Sequence, residues 1–141
     1  ARAIEVLSRA RPAGVAELPL LGTVAAGEPI EAVELHETLA LPEDMLPAAG
    51  QSFALRVRGD SMIDEQIRDG DLIVVHGRQT ARNGETVVAL VGGTHATVKR
   101  FYREKDGRVR LQPANPTLAP LYLRADDVTI QGVVVGVIRK Y

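Results

Sequence analysis

The 141-residue sequence contains no cysteine. Without a thiol, the chain has no disulfide, thiolate zinc site, iron–sulfur cluster or cysteine nucleophile. Its apolar runs fall short of the ~20 residues that a membrane-spanning helix needs, and no basic, apolar leader typical of a signal peptide stands at the start. We therefore expect a cytoplasmic protein that does not bind a membrane.

An excess of charge of one sign is also missing. The chain has 17 Lys and Arg against 18 Asp and Glu, a formal net charge of −1, so it has no overall attraction to nucleic acid or to an anionic membrane. The stretch from Lys99 to Arg110 is a local exception, because it carries six cations around Phe101 and Tyr102. DNA-binding surfaces have this composition, but in a nearly neutral chain a solvated hairpin tip or a partner contact is the better interpretation.

Nucleotide and metal motifs are absent as well. The sequence has neither the G-x-G-x-x-G pattern nor a Walker A lysine. The three histidines, His36, His76 and His95, lack the spacing of metal ligands and are expected to be ordinary strand or loop residues. We expect neither a metal nor another cofactor.

What is present predicts one β-rich domain. Its length and its 45% hydrophobic and 25% charged residues are typical of a single globular domain. Short strands follow one another without amphipathic helices between them. The expected fold class is mostly β, a curved antiparallel sheet or partial barrel with one or two short helical turns. Residues 1–18 are predicted to be a linker, with a possible strand at 1–7, and residues 19–141 the compact domain.

Individual strands are indicated by alternation and by turn residues. Phe53, Leu55 and Val57 alternate with polar residues and predict a strand with one buried face. A Gly92-Gly93 pair predicts a two-residue hairpin turn. Residues 28–44 are acidic and are interpreted as a solvated surface. Further strands are predicted from residue 18 into a loop ending at 30, and at 72–75, 85–91, 94–102, 108–112 and 128–141.

Ser61 lies in Gly59-Asp60-Ser61-Met62, where the alternating strand ends and a helical turn is predicted. One interpretation is a helix cap, since Ser61 and Asp64 fit a capping box. The other is a nucleophile, because backbone N–H groups at such a junction can receive an oxyanion. The tetrapeptide alone favours the cap.

A serine nucleophile needs a base, and where no histidine accompanies it the known alternative is a neutral lysine. Lys99 lies in the predicted second hairpin strand, on the same face as Thr97 and Phe101. An exposed strand lysine is the commoner case. If Lys99 is buried, desolvation lowers its pKa, and neutrality near pH 7 requires a decrease of about three units.

Several motifs occur together in one order: Gly22-Thr-Val-Ala-Ala-Gly-Glu-Pro29, Gly59-Asp-Ser-Met62, Asp69-Gly-Asp71, Asn83-Gly-Glu85, Val98-Lys-Arg100 and Gly136-Val-Ile-Arg139. This combination resembles the LexA family, the self-cleaving Ser–Lys peptidases that repress the bacterial SOS response. The resemblance covers residues 18–141. Residues 1–7 resemble the last strand of the family's N-terminal winged helix-turn-helix domain, which implies a linker followed by the C-terminal domain.

The resemblance implies a role for each matching residue. Ser61 would be the nucleophile and Lys99 the general base. The backbone N–H groups of Asp60 and Ser61 would form the oxyanion hole, and the scissile bond would join Ala26 to Gly27. It also implies a homodimer formed partly through residues 128–141, cleavage stimulated by RecA on single-stranded DNA, and operator DNA bound through the absent N-terminal domain.

Two other functions stay open. A UmuD-like mutagenesis protein of the same clan has a similar length and a cleavable arm, although the Ala26–Gly27 bond and the wing-like start favour LexA. A β-rich dimerisation module without activity would have Ser61 as a cap and Lys99 on the surface. Signal peptidases share the Ser–Lys chemistry but need a membrane anchor.

Overall fold

A computed structural model describes residues 14–141, with the backbone alone at residues 33–36. The predicted strand at 1–7, most of the predicted linker and the His36 side chain lie outside the described residues. Among residues 14–141 nine strands form one sheet, and the mostly β class is confirmed. The strands are β1 (Val15–Ala25), β2 (Glu31–Pro42), β3 (Ser52–Arg58), β4 (Leu72–Gly77), β5 (Thr86–Val91), β6 (His95–Arg103), β7 (Val109–Gln112), β8 (Leu121–Leu123) and β9 (Val128–Ile138).

The sheet has the strand order β2-β1-β3-β4-β9-β5-β6-β7-β8. Within the described chain, β2 and β8 are the edges, so the sheet is open. Neighbours are antiparallel except for β1 and β3, which run parallel. Strand β2 pairs with one side of β1 and runs in the opposite direction. The chain then crosses to the other side of β1, and β3 runs in the same direction as β1. The sheet is therefore mixed, whereas the sequence predicted an antiparallel one.

Three short 3-10 turns complete the described elements: Glu43–Met45, Ile63–Glu65 and Ala125–Asp127. The turn at Ile63–Glu65 lies where a helical turn is predicted after Ser61. Strands β3 to β7 and β9 lie within a few residues of their predicted bounds. Strand β1 begins at Val15, inside the stretch interpreted as linker, because Leu18 and Leu20 are buried against the sheet.

The sequence analysis missed β2 and β8. Strand β2 occupies the acidic stretch interpreted as a solvated surface; it pairs with β1 alone, so its outer edge and its polar side chains can stay in water. The prediction of a two-residue hairpin turn at Gly92-Gly93 is wrong. Val91 pairs with His95, so Gly92, Gly93 and Thr94 form a three-residue loop. The Gly92 N–H bonds to the Asp127 carbonyl instead of closing a tighter turn.

Strands β4 and β5 have both faces covered. In β4, Ile73 and Val75 belong to one apolar cluster and Val74 to another. In β5, Val87 and Val88 likewise face opposite sides. Strand β6 lies next to β5 in the sheet. Its residues 96–99 are all buried, including the polar side chains of Thr97 and Lys99.

A buried ion pair connects the end of β9 to the segment between β3 and β4. Asp71 is 2% exposed, and its carboxylate accepts two 2.7 Å hydrogen bonds from the Arg139 guanidinium and one from the Arg68 N–H. Arg139 also donates to the Gln66 carbonyl at 2.9 Å. The hydrogen bond from Arg139 is the main cause of the lowered Asp71 pKa. This network holds the second half of the Ser61 loop, which comprises residues 59–71, against the end of β9.

Candidate active site

The Ser61 loop begins directly after β3. Gly59 has a φ of +103°, a conformation that glycine adopts readily, and its N–H donates to Asp69 Oδ1 at 2.9 Å. The 3-10 turn that follows has Met62 at its N-cap, and no side chain caps it. The interpretation of Ser61 as a capping residue is therefore wrong, and its hydroxyl is available for another role.

Lys99 projects from the middle of β6 towards that hydroxyl. Its Nζ lies 3.3 Å from Ser61 Oγ, across 38 residues of sequence, and it also donates a hydrogen bond to the Thr97 hydroxyl. Lys99 is only 5% exposed, so the expectation of an exposed strand lysine is wrong. Thr97 was placed on the face of Lys99 by the period of the strand, but nothing in the sequence indicated that it would hold the amine.

Burial changes the acidity of this amine. Desolvation lowers the Lys99 pKa from its usual 10.5 to about 8, because an ammonium loses more than a neutral amine does when water is removed. At pH 7 about a tenth of the molecules then carry neutral Lys99. An ordinary lysine would be neutral in fewer than ~1 in 1,000.

Ser61 and Lys99 share a cavity of about 570 Å³ with the Ala26 and Gly27 residues of the predicted scissile bond. The structure thus brings together the nucleophile, base and cleavage-site candidates from three separate parts of the chain. Apolar residues form most of the remaining wall. They are Val91, Ala96, Pro113, Leu118, Ala119 and Leu121, accompanied by His95 and Thr97.

The segment that carries Ala26 and Gly27, which we call the cleavage loop (residues 25–30), is held at this cavity by backbone hydrogen bonds. The Gly27 N–H donates to the Ala96 carbonyl at 3.1 Å, and the Ala96 N–H donates to the Glu28 carbonyl at 2.7 Å. This pairing is possible because β7 pairs only with residues 100–103 of β6. The edge of β6 near Ala96 is therefore left for the cleavage loop.

An ion pair also joins the cleavage loop to the last residue of β3, directly before the Ser61 loop. Glu28 Oε2 lies 2.8 Å from Arg58 Nη2, and Glu31 Oε2 lies 3.8 Å from Arg58 Nη1. Both side chains of the closer pair are about half exposed. Sequence analysis missed Arg58, since on an alternating strand it is simply a residue of the polar face.

The backbone N–H groups of Asp60 and Ser61 donate no hydrogen bond to any acceptor among residues 14–141. Free N–H groups beside a serine hydroxyl can bind an oxyanion. His95 lines the cavity, whereas the His76 ring bonds to the Ala49 carbonyl elsewhere. Neither histidine hydrogen-bonds to Ser61.

The basic stretch after Lys99 is largely paired with carboxylates. Arg100 pairs with Glu65, Arg108 with Asp106, and Arg110 with Glu104. In the described part of the chain, no three His, Cys, Asp or Glu side chains are grouped as metal ligands would be. No helix there has the length and apolarity needed to span a membrane.

Comparison with known proteins places this site in a family. The Peptidase S24-like family model matches residues 19–135, and the chain therefore belongs to the S24-like peptidases. Within that family it is similar to LexA repressors, which confirms the resemblance seen in the motifs.

Three of these relatives show how much of the chain the similarity covers. The LexA repressor of Syntrophobacter fumaroxidans is 51% identical over 140 residues, covering 99% of this chain and 66% of that protein. The LexA repressor of Syntrophotalea carbinolica is 52% identical, covering 89% and 61%, and that of Bacillus mycoides is 49% identical, covering 98% and 68%. The chain thus spans about two thirds of the length of these relatives.

Proposed function

We propose that this chain is the self-cleaving and dimerising C-terminal domain of a LexA-type repressor, and that it hydrolyses its own Ala26–Gly27 bond with Ser61 and Lys99. One observation carries the proposal: a buried amine with a lowered pKa lies 3.3 Å from a serine hydroxyl, in a cavity that the Ala26–Gly27 segment also lines.

The chemistry follows the roles of these groups. Neutral Lys99 Nζ takes the proton of Ser61 as Oγ attacks the Ala26 carbonyl carbon, and the N–H groups of Asp60 and Ser61 bind the resulting oxyanion. As the C–N bond breaks, the Lys99 ammonium returns its proton to the Gly27 amine. A water, deprotonated by Lys99, then hydrolyses the ester to free Ser61 and an Ala26 carboxylate.

The residues of the scissile bond suit this cavity. Ala26 carries only a methyl group, and Gly27 has a φ of +80°, a conformation that larger residues rarely adopt. The turn at Gly27 lets the cleavage loop enter beside Ala96 and leave towards β2. Thr97 fixes the lysine chain, so that its nitrogen is directed at Ser61.

Intact-mass analysis tests the proposed function. After incubation at pH 9 to 10, we expect the chain to separate into a piece ending at Ala26 and a piece beginning at Gly27, with first-order kinetics that do not depend on protein concentration. An unchanged mass after many hours would contradict the proposal, and a rate that rose with concentration would mean cleavage of one copy by another.

A tethered substrate has a high effective concentration, so control of cleavage has to act on docking of the cleavage loop. We propose that this loop exchanges between the docked position and one away from the cavity. The RecA filament on single-stranded DNA, implied by the LexA resemblance, would stimulate cleavage by binding the docked state more tightly. The Glu28–Arg58 pair would favour docking from within the chain.

Reversing the charge of each partner, and then of both, measures how much the Glu28–Arg58 pair contributes to the rate of self-cleavage. Arg58→Glu and Glu28→Arg are each expected to slow self-cleavage about 2- to 5-fold, the effect of an exposed ion pair, and the double variant is expected to recover most of the rate. The loss should shrink at 1 M salt, where exposed charges are screened. Arg82→Glu, at an exposed arginine between β4 and β5, is the matched control and should cleave at the parent rate. A double variant slower than both single variants would contradict a direct pairing.

The remaining parts of a repressor are also proposals. Val135 and Val137 on β9 are about 40% exposed, and this apolar face supports a homodimer interface, which sedimentation equilibrium can examine. Residues 1–18 would lead to an N-terminal winged helix-turn-helix domain that binds operator DNA in the cytoplasm. Cleavage at Ala26–Gly27 would separate that domain from the dimer and so end repression.

The alternatives have less support. The relatives compared above are LexA repressors, which favours this type over a UmuD-like protein. An inactive dimerisation module would need neither a buried lysine nor a serine hydroxyl beside it, and burying that amine destabilises the fold.

A further inference from the structure

A second loop, residues 113–117 between β7 and β8, is attached to the Ser61 loop by three hydrogen bonds. The Asp64 N–H donates to the Ala114 carbonyl at 2.7 Å, and the Ala114 N–H donates to Met62 Sδ at 3.3 Å. Asn115 Nδ2 donates to the Asp60 carbonyl at 3.0 Å. The first two fasten the 3-10 turn, and the third reaches the residue directly before Ser61.

The Asp60 carbonyl belongs to the same peptide group as the Ser61 N–H. That group is planar, and in the trans form its C=O and N–H point in opposite directions. A donor that holds the carbonyl therefore also sets the direction of the N–H. The Ile63 N–H donates to the same carbonyl at 3.2 Å, so Asn115 supplies one of two bonds that orient this peptide.

Asn115 is itself held in place. Its Oδ1 accepts hydrogen bonds from the Thr117 N–H at 3.0 Å and from the Thr117 hydroxyl at 2.7 Å. With Oδ1 occupied by donors, the NH₂ group of the amide is the end that faces the Asp60 carbonyl. The donor is therefore oriented by its own loop and not by contact with the cleavage loop.

We propose that Asn115 is a positioning residue for the oxyanion hole: by holding the Asp60 carbonyl, it directs the Ser61 N–H at the oxyanion that forms on Ala26. The inference rests on the proposed function. Asn115 touches no reacting atom and acts through the peptide group. Such an N–H stabilises the transition state only when its direction is set beforehand, and donation to the carbonyl of the same peptide also strengthens the N–H as a donor.

Self-cleavage of Asn115→Ala tests this role. Complete loss of one oxyanion donor slows related enzymes about 10²- to 10³-fold. Because Ile63 still holds the carbonyl, we expect a decrease of roughly 10- to 100-fold in the plateau rate at alkaline pH. The midpoint of the pH profile should not move, since the surroundings of Lys99 are unchanged. Asn83→Ala, which removes a loop-anchoring asparagine that accepts from the Arg103 N–H, is the matched control and should cleave at the parent rate.

Asn115→Asp separates this role from a general effect on folding. The aspartate keeps the size of the side chain and its bonds to Thr117 but cannot donate to the Asp60 carbonyl, so its rate should fall at least as far. Docking of the cleavage loop is measured by hydrogen exchange of the Gly27 amide, in chains that also carry Ser61→Ala so that they cannot cleave. The exchange rate should be the same with Asn115 and with Asn115→Ala, because the proposed role of Asn115 does not affect docking.

Several results would overturn the role of Asn115. Cleavage within twofold of the parent rate in Asn115→Ala or Asn115→Asp would do so, as would a displaced pH midpoint in Asn115→Ala or faster exchange at Gly27. If Asn115→Ala is unfolded by circular dichroism, the Asp variant decides. A parent chain that never cleaves would contradict the proposed function, whereas normal cleavage without Asn115 would contradict the positioning role alone.

Discussion

Replacing Ser61 with alanine, or Lys99 with alanine, is expected to lower the rate of self-cleavage by about 10⁴-fold or more. Ser61→Ala removes the nucleophile, and Lys99→Ala removes the only basic nitrogen placed within hydrogen-bonding distance of it in the described residues. Because the two groups act as one unit, the double variant should be no slower than either single variant. Intact-mass analysis at pH 9 over several days measures all three.

The fold is expected to survive these changes. Keeping a lysine with a pKa of about 8 in place of 10.5 costs roughly 3 kcal/mol near neutral pH. Lys99→Met should therefore melt at or above the parent temperature while cleaving nothing. Lys105→Ala, at an exposed lysine between β6 and β7, is the matched control and should retain cleavage. Substantial cleavage by Lys99→Ala would assign the base to another group.

The rate of self-cleavage is expected to rise about tenfold per pH unit up to about pH 7, to reach half of its plateau near pH 8 and to level off above about pH 9. The base acts in its neutral form, and the neutral fraction of Lys99 increases as the pH rises through its pKa of about 8. At pH 6 the rate should be about 1% of the plateau. Single-turnover kinetics between pH 5.5 and 10 measure the profile in the absence of RecA.

Stability should follow the same titration. The Lys99 pKa is lower in the folded chain than the ~10.4 of an unfolded one, so the unfolded state binds more protons between these values. The free energy of unfolding should therefore gain a contribution as the pH rises from about 8 to about 10.4. This contribution should be missing in Lys99→Met. A rate that fell with rising pH, or a midpoint near 10.4, would show that Lys99 is not the desolvated base.

The proposed chemistry sets stability against function at one position. A buried methionine would suit β6 better than an amine that must shed its proton, and the fold tolerates the amine because Thr97 and Ser61 hydrogen-bond to it. The same burial makes Lys99 a usable base near neutral pH. A carboxylate beside Lys99 Nζ could not replace these hydroxyl groups. It would raise the pKa of Lys99 and keep the amine protonated near neutral pH.

Local features of the sequence predicted a large part of this molecule. Alternation at Phe53, Leu55 and Val57 predicts β3, because successive side chains of a strand face opposite sides. Buried runs and glycine turns predict the other central strands in the same way. The motifs around Ala26, Ser61 and Lys99 indicated the candidate site only through their resemblance to the LexA family, since the residues taken alone favoured a capping serine and an exposed lysine.

Other features depended on contacts between distant segments. The period of β6 placed Lys99 on a face, but only the arrival of the Ser61 loop and the cleavage loop over that face decided that the amine is buried. The edge strand β2 has an acidic sequence that becomes a strand because β1 offers it hydrogen bonds.

By itself, then, the sequence determined the mostly β class and the central strands, since these follow from properties of neighbouring residues, and its motifs indicated the candidate site through their resemblance to a family. The tertiary structure alone decided the burial of the Lys99 amine, the pairing of Glu28 with Arg58 and the bond from Asn115 to the Asp60 carbonyl. Each of these joins segments far apart in the chain, and no local pattern records which segments the sheet brings together.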